Sequence, residues 1–248
     1  MNALGIIPAR WDSSRFPGKI LKNILGKPMI QHVIERVEKS NYLKQIIVAT
    51  DNKKVIEFVK SLNKSNVNSI MTNPNHPSGT DRVAEVAKNF KYDLVVNIQG
   101  DEPLINPKLI DEIILKLNDK SWDMVSAAVH SNNAKDFINT SVVKVIFDKN
   151  NKAMYFSRSP IPFNRDNNDQ CIGINYWKHI GIYGYQNNFL QKLVLTQPSY
   201  AEKVEKLEQL RALHIGGKIC ILETNQNSIG VDRPEDVKKV EQQIMEMG

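Results

Sequence analysis

The stretch that decides the fold is Leu94-Val95-Val96-Asn97-Ile98, followed at once by Gln99-Gly100-Asp101-Glu102-Pro103. The first five residues are mostly β-branched or aliphatic, and the run is too short for a helix. Pro103 cannot extend a ladder, so the strand must end before it. A strand that is apolar without alternation is buried on both faces, as in the middle of a parallel sheet. In such sheets ligands sit outside the carboxyl ends of the strands. Gln99 to Glu102 stand at that place.

The same pattern continues in both directions. Apolar runs at 4–7, 46–49, Val67–Met71 and 124–129 read as further strands. Pro8 stops the first, and Thr50-Asp51-Asn52 closes the second. Between them lie helical spacings. Ile30, Val33, Ile34 and Val37 repeat at i, i+3, i+4, i+7 behind Pro28. Val55, Phe58, Val59 and Leu62 do the same, and 82–88 also reads as helix. Leu109, Ile110, Ile113, Ile114 and Leu117 form a helix entered through Pro107. Strands alternating with helices over short connections imply right-handed βαβ units. After residue 130 the texture changes. Expected strands at 142–147, 153–156, 180–185 and 218–222 surround a polar loop at 164–175, with helices at 202–213 and 234–247. Antiparallel insertions into an α/β core account for this half.

Composition bounds the function. With 41% hydrophobic residues the chain has enough apolar surface to fold, so disorder is excluded. No apolar run has bilayer length, and the first residues lack a signal peptide's pattern. The two cysteines, Cys171 and Cys220, exclude a disulfide scaffold and a cysteine-built zinc site. A reduced, cytoplasmic chain is the expectation. The net charge of +6 admits a nucleic-acid partner or an anionic small molecule. Lysines scattered along the chain, with 7% aromatics and no basic run between them, favour solvated faces and a pocket for an anion.

Five motifs fall beside expected strand or helix ends. Pro8-Ala9-Arg10-Trp11-Asp12-Ser13-Ser14-Arg15-Phe16-Pro17-Gly18-Lys19 follows the first strand. It is neither a dinucleotide fingerprint nor a P-loop, and reads as a phosphate loop or a solvated basic loop. Gln99-Gly100-Asp101 places a carboxylate at the ligand edge, suited to Mg²⁺, or else forms a simple turn. His76-Pro77-Ser78-Gly79-Thr80-Asp81-Arg82 leads into a helix that Thr80 or Asp81 would cap, or forms a base pocket. Arg158 in Ser157-Arg158-Ser159-Pro160 suits a fork-to-fork grip on a carboxylate, with His179 before a buried strand. Asp232 in Val231-Asp232-Arg233-Pro234 is a helix cap or a second metal carboxylate.

Taken in order, these motifs, with His179-Ile180-Gly181-Ile182-Tyr183 and Glu205-Lys206-Leu207-Glu208-Gln209-Leu210-Arg211, resemble the 3-deoxy-manno-octulosonate (Kdo) cytidylyltransferases, or CMP-Kdo synthetases, from about Ile6 to Asp236. The resemblance implies a nucleotide-diphospho-sugar transferase-like α/β fold, a mostly parallel sheet flanked by helices with a smaller inserted dimerisation lobe. The nucleotide core would span about 1–130, the sugar and dimer lobe about 131–225, and the return to the core about 226–248. It implies CMP transfer from CTP to Kdo with release of pyrophosphate, a Mg²⁺ cofactor, a role in lipopolysaccharide or capsule synthesis, a homodimer, and no nucleic-acid or membrane partner. By the resemblance, Arg10, Ser13, Arg15 and Lys19 hold the phosphates, and Met71, Ser78, Gly79 and Thr80 meet the cytosine. Gln99 lies at the nucleotide–sugar junction. Asp101 and Asp232 bind the metal, and with Arg10 and Lys19 make up the catalytic set. Arg158, His179, Tyr183, Tyr185, Glu208 and Gln209 surround the sugar acid. Three positions depart from the family pattern: Ile20, Asn75, and Gln186 close to the expected sugar site. They leave an acceptor such as 8-amino-3,8-dideoxy-Kdo open.

Overall fold

Side chains alternate between the two faces of each strand, and in this chain both faces are covered. The computed structural model describes residues 1–12, 16–165, 173–225 and 230–247. The main sheet consists of β1 (Ala3–Pro8), β4 (Leu43–Thr50), β5 (Val67–Met71), β6 (Leu94–Asn97), β7 (Met124–Ser131), β10 (Tyr176–Gln186) and β11 (Ile219–Thr224), in the order β11-β7-β10-β6-β1-β4-β5. All run parallel except β10, which is antiparallel to both β6 and β7. The hairpin β8 (Lys144–Phe147) and β9 (Ala153–Ser157) extends from β10. A short hairpin, β2 (Asn23–Ile24) and β3 (Lys27–Pro28), stands apart.

On one face Ala3, Ile7, Ile46, Val48, Val96 and Ile98 pack under α1 (Met29–Val37), α2 (Lys53–Ser61), α4 (Pro107–Asn118) and α9 (Pro234–Met247). On the other, Leu4, Ile6, Ile47 and Val95 pack under α3 (Gly79–Ala87), α6 (Asn187–Leu195) and α8 (Gln209–His214). Several helices start where polar side chains meet orphan amides. Asn52 caps α2 and Asn106 caps α4, ahead of Pro107. Asp111 on α4 is buried and accepts from Ser40 Oγ at 2.5 Å, Asn41 N at 3.0 Å and Asn41 Nδ2 at 2.8 Å, which fixes the turn entering β4.

Three expectations need correction. The helix expected at 202–213 is two helices, α7 (Tyr200–Glu205) and α8, because Lys206 takes a left-handed conformation with φ 54°. The break turns Leu207, Glu208 and Gln209 toward the cleft. The cap of α3 is Ser78, not Thr80 or Asp81: its Oγ accepts from Asp81 N at 3.2 Å and donates to Asp81 Oδ2 at 2.5 Å. The departure at Gln186 does not bear on the sugar site. Gln186 ends β10 against Leu94, at the opposite end of the sheet, and donates to Leu117 O at 2.7 Å. Helices α5 (Ala134–Ile138) and α6 were not anticipated; Phe189, Leu190 and Leu193 carried the unread spacing of the latter.

Gly184 lets β10 lie against α4. A Cβ there would stand 2.3 Å from Ile113 Cγ2 and 2.6 Å from Leu117 Cδ1. Overpacking of this kind costs about 1–3 kcal/mol. Gly184→Ala should therefore lower the unfolding free energy by that much, read as a lower urea midpoint at an unchanged m-value. A variant as stable as the parent would show that the helix moves aside without cost.

Candidate active site

The carboxyl ends of β1, β4 and β6 point to one edge of the sheet, and β10 brings its middle to the same place. Two adjoining cavities open there among the described residues, of about 260 and 460 Å³. Gly79, Gln99, Glu208 and Asp232 line both.

The smaller cavity lies under the loop that follows β1. Arg10, Lys19, His76, Ser78, Arg82 and Asp101 face it. Gly100 allows the β6 loop to cross β1: a Cβ there would be 2.8 Å from Pro8 O and 3.2 Å from Ile20 Cδ1. Asp101 is thereby brought beside Lys19, whose Nζ lies 2.5 Å from Asp101 Oδ2, 3.0 Å from Val231 O and 3.6 Å from Asp232 Oδ1. Val231 is buried and donates its N–H to Asp101 O at 2.8 Å. The return segment before α9 is thus stitched to both the β1 loop and the β6 loop. The α9 start is closed by Asp236, whose Oδ2 accepts from Asp232 N at 3.2 Å and Arg233 N at 3.0 Å.

A second ion pair fixes the start of the β1 loop. Asp51, at the end of β4, accepts from Trp11 N at 2.8 Å and from Arg82 Nη2 at 2.8 Å. Arg82 is buried and also donates to Thr72 Oγ1. Trp11 O accepts from Gly18 N at 3.2 Å, so the two ends of the loop meet.

The larger cavity is walled by aromatic and amide side chains from β6, β10 and the α7–α8 break. Phe156, His179, Tyr183 and Tyr185 form a row with ring centroids 5.0, 5.5 and 6.3 Å apart. Burial pushes His179 down to about 3, so its imidazole is neutral. Its Nε2 lies 2.8 Å from Ser126 Oγ, whose single hydrogen faces the carbonyls of Ile182 at 2.9 Å and Ile180 at 3.2 Å. Carbonyls only accept, so His179 carries its hydrogen on Nε2 and offers Nδ1 as an acceptor. Burial raises the Tyr183 and Tyr185 phenols. Burial also raises the Glu208 carboxyl, against hydrogen bonds from Thr80 and Ser78 that lower it. Asn97 Oδ1 and Gln209 Nε2 are buried without a hydrogen-bond partner among the described residues, and both residues line this cavity. Buried polar atoms are nearly always paired, so a ligand that donates to the first and accepts from the second fits. Arg158 donates Nε to Glu205 O at 2.7 Å, Nη1 to Thr140 O at 2.9 Å and Nη2 to Lys206 O at 3.4 Å. Among the described residues one hydrogen on each terminal nitrogen has no partner.

A cytidylyltransferase family model matches residues 4–219. The chain is 43% identical to the 3-deoxy-manno-octulosonate cytidylyltransferase of Geotalea daltonii, over 100% of both chains, and 44% identical to that of Geobacter metallireducens, over 98% of both. A solved CMP:2-keto-3-deoxy-manno-octonic acid synthetase complexed with CTP superposes with a TM-score of 0.92 at 36% identity, covering 100% of each chain. The chain belongs to the 3-deoxy-manno-octulosonate cytidylyltransferase family.

The two cavities gather most of the residues expected from sequence. Arg10, Lys19, Ser78, Gly79, Gln99, Asp101 and Asp232 line the smaller cavity. Thr80, Arg158, His179, Tyr183, Tyr185, Glu208 and Gln209 line the larger. Met71 does not join them: it ends the edge strand β5 and is 47% exposed. Ser13 and Arg15 lie outside the described residues. Asp51, Arg82, Asn97 and Glu102 were missed as site residues. Asp51 and Asn97 stand at strand ends, the one signal that could have found them. His179 was expected around the sugar acid; it lines the larger cavity and its neutrality makes it a hydrogen-bonding wall there.

The depressed His179 makes a signed prediction. The unfolded imidazole has its ordinary value of 6.5, so between that pH and about 3 the unfolded chain binds the extra proton. Stability falls as pH falls through this window, by at most about 1.4 kcal/mol per pH unit from this one group. Urea titrations of His179→Gln should show a shallower loss from pH 7 to pH 5 than the parent. Parallel slopes would mean that His179 is protonated in the folded chain.

Proposed function

We propose that the chain transfers CMP from CTP to Kdo, giving CMP-Kdo and pyrophosphate. One observation carries this reading: two cavities of different chemistry meet on shared residues, with the Lys19, Asp101 and Asp232 cluster at their junction. The smaller cavity, which Arg10, Lys19 and Arg82 face, suits a triphosphate. The amide- and tyrosine-lined cavity suits a polyhydroxylated acid, and Arg158, which lines it, suits the acid's carboxylate. Gln99 touches both cavities and suits the place where the two substrates join. The relatives' names and the CTP complex of the solved neighbour agree with this assignment.

The reaction follows from the placement. The anomeric hydroxyl oxygen bonds to the α-phosphorus while the bond from that phosphorus to the bridging oxygen breaks in line. Pyrophosphate leaves with the electron pair, and the hydroxyl proton passes to water. Lys19 is held by Asp101 and Val231 O before the substrate arrives, so little reorganisation of this group is needed as charge grows on the phosphate oxygens, and Arg10 faces the same cavity. Neither described cavity presents a cysteine, and a direct displacement requires no covalent intermediate.

The donor set fits a hard divalent cation. Two carboxylates converge on one positive charge, the Lys19 ammonium, which stands where such a cation would stand. Magnesium takes one or two carboxylates and completes its shell with phosphate oxygens and water. Asp101 and Asp232 would hold it. It would neutralise the departing phosphates and lower the pKa of the attacking hydroxyl.

The hairpin β8–β9 and the segment after it expose Met154, Tyr155 and Phe163. We read this apolar surface as the homodimer contact. No helix among the described residues is long and apolar enough to cross a membrane. The reading gives the chain a cytoplasmic role in supplying activated Kdo for lipopolysaccharide.

Asp101→Asn should reduce pyrophosphate release from CTP and Kdo by at least about 100-fold while the circular dichroism spectrum is unchanged. A folded variant working at the parental rate would remove Asp101 from the chemistry.

A further inference from the structure

Lys144 starts β8 directly after Val142 and Val143, which line the larger cavity, and is 0% exposed. Its ammonium has three N–H donors and no acceptor. All three meet main-chain carbonyls: Val142 O at 2.7 Å, Arg158 O at 2.6 Å and Asn139 O at 3.2 Å. Removing a charge from water for neutral partners alone is unfavourable, so what these bonds join is informative. Asn139 and Val142 bracket the turn whose Ser141, Val142 and Val143 line the larger cavity. Arg158 begins the opposite wall. Its guanidinium runs on to Thr140, Glu205 and Lys206, and the Glu205 carboxylate accepts from Ser157 Oγ at 2.6 Å and Arg158 N at 2.9 Å. Lys206 is the left-handed residue that directs Glu208 and Gln209 inward.

We propose that Lys144 is a positioning residue for the sugar-acid cavity, its ammonium clamping the 139–143 turn to Arg158 and, through Arg158, to the α7–α8 break. The clamp rests on the reading of that cavity as the sugar-acid site. It touches neither Lys19 nor the two aspartates, so it acts on one substrate and leaves the other's cavity alone.

The ionised groups around Lys144 are Glu205 on α7, Arg158 after β9 and Asp136 on α5. Lys178 on β10 stands opposite it in the sheet register and pairs with Asp136 at 3.2 Å. Burial is the largest influence and pushes the amine down to about 8. A neutral amine has two hydrogens for three carbonyls, so the clamp loses a bond as pH rises through that value. The sign of the stability effect is opposite. The folded value lies below the ordinary 10.5, so the unfolded chain binds the extra proton between the two, and this group's contribution to stability rises with pH. Loosening of the cavity is therefore separable from unfolding. His179 titrates below this window, and the Tyr183 and Tyr185 phenols above it.

The test is steady-state kinetics of the full chain from about pH 7 to about pH 9.5, with KM measured for Kdo and for CTP. The KM for Kdo should rise at least about threefold with a midpoint near 8, while that for CTP stays level. Lys144→Met should start with a raised KM for Kdo and show no rise with pH. A level KM for Kdo in the parent, or a parallel rise for CTP, would overturn the clamp. In ligand-free ¹⁵N–¹H spectra the amides of Ser141, Val142 and Glu208 should shift with the same midpoint, and unmoved amides would also overturn it. A chain with no turnover of Kdo at any pH would instead remove the substrate reading, and the spectra would still decide the clamp.

Discussion

One ammonium group, Lys19 Nζ, joins three parts of the chain that lie far apart in sequence. It reaches Asp101 across 82 positions and Val231 across 212. The β1 loop, the β6 loop and the return segment before α9 therefore meet at one point. The point is partly buried, with the Lys19 side chain 12% exposed, so the attraction is screened less than on an open surface. Everything that makes the cleft a cleft depends on this meeting. Without the missing Cβ of Gly100, the β6 loop could not cross Pro8 closely enough to bring Asp101 there. Without the Val231 to Asp101 hydrogen bond, Asp232 would not be held on the same side.

The parallel half of the fold was legible because its strands are buried on both faces and its helices are strictly amphipathic. Met29–Val37 and Val67–Met71 are read from sequence with the bounds they have in the structure. The second half was less legible where a single backbone conformation decided the outcome. The leucine spacing across 202–213 suits one helix, and only the positive φ of Lys206 divides it. Side-chain spacing carries no information about that. Likewise the pattern could not show that β10 enters the sheet between β6 and β7, because a strand of mixed glycine and aromatic residues pairs equally well at an edge.

The site was legible in so far as strand ends are ligand ends. Asp101, Gln99 and Arg10 follow from that rule alone. His179 and Glu208 owe their character to burial, which is a property of the assembled walls. The positive charge was the least informative feature. Its functional members, Lys19, Arg82, Lys144 and Arg158, are set into carboxylates and carbonyls, and exposed pairs such as Lys27–Glu35 and Lys239–Asp236 contribute little. A count of lysines gives no view of this division.

The central claim is that one cleft holds a cytidine triphosphate and a sugar acid in positions for direct displacement. Its most direct test is a pyrophosphate-release screen crossing the four ribonucleoside triphosphates with Kdo, 8-amino-3,8-dideoxy-Kdo and sialic acid, with and without Mg²⁺. Release should be fastest with CTP, Kdo and Mg²⁺ together and should fall to background when any one is withheld. Equal release with another triphosphate, or release from CTP with no sugar acid present, would contradict the claim.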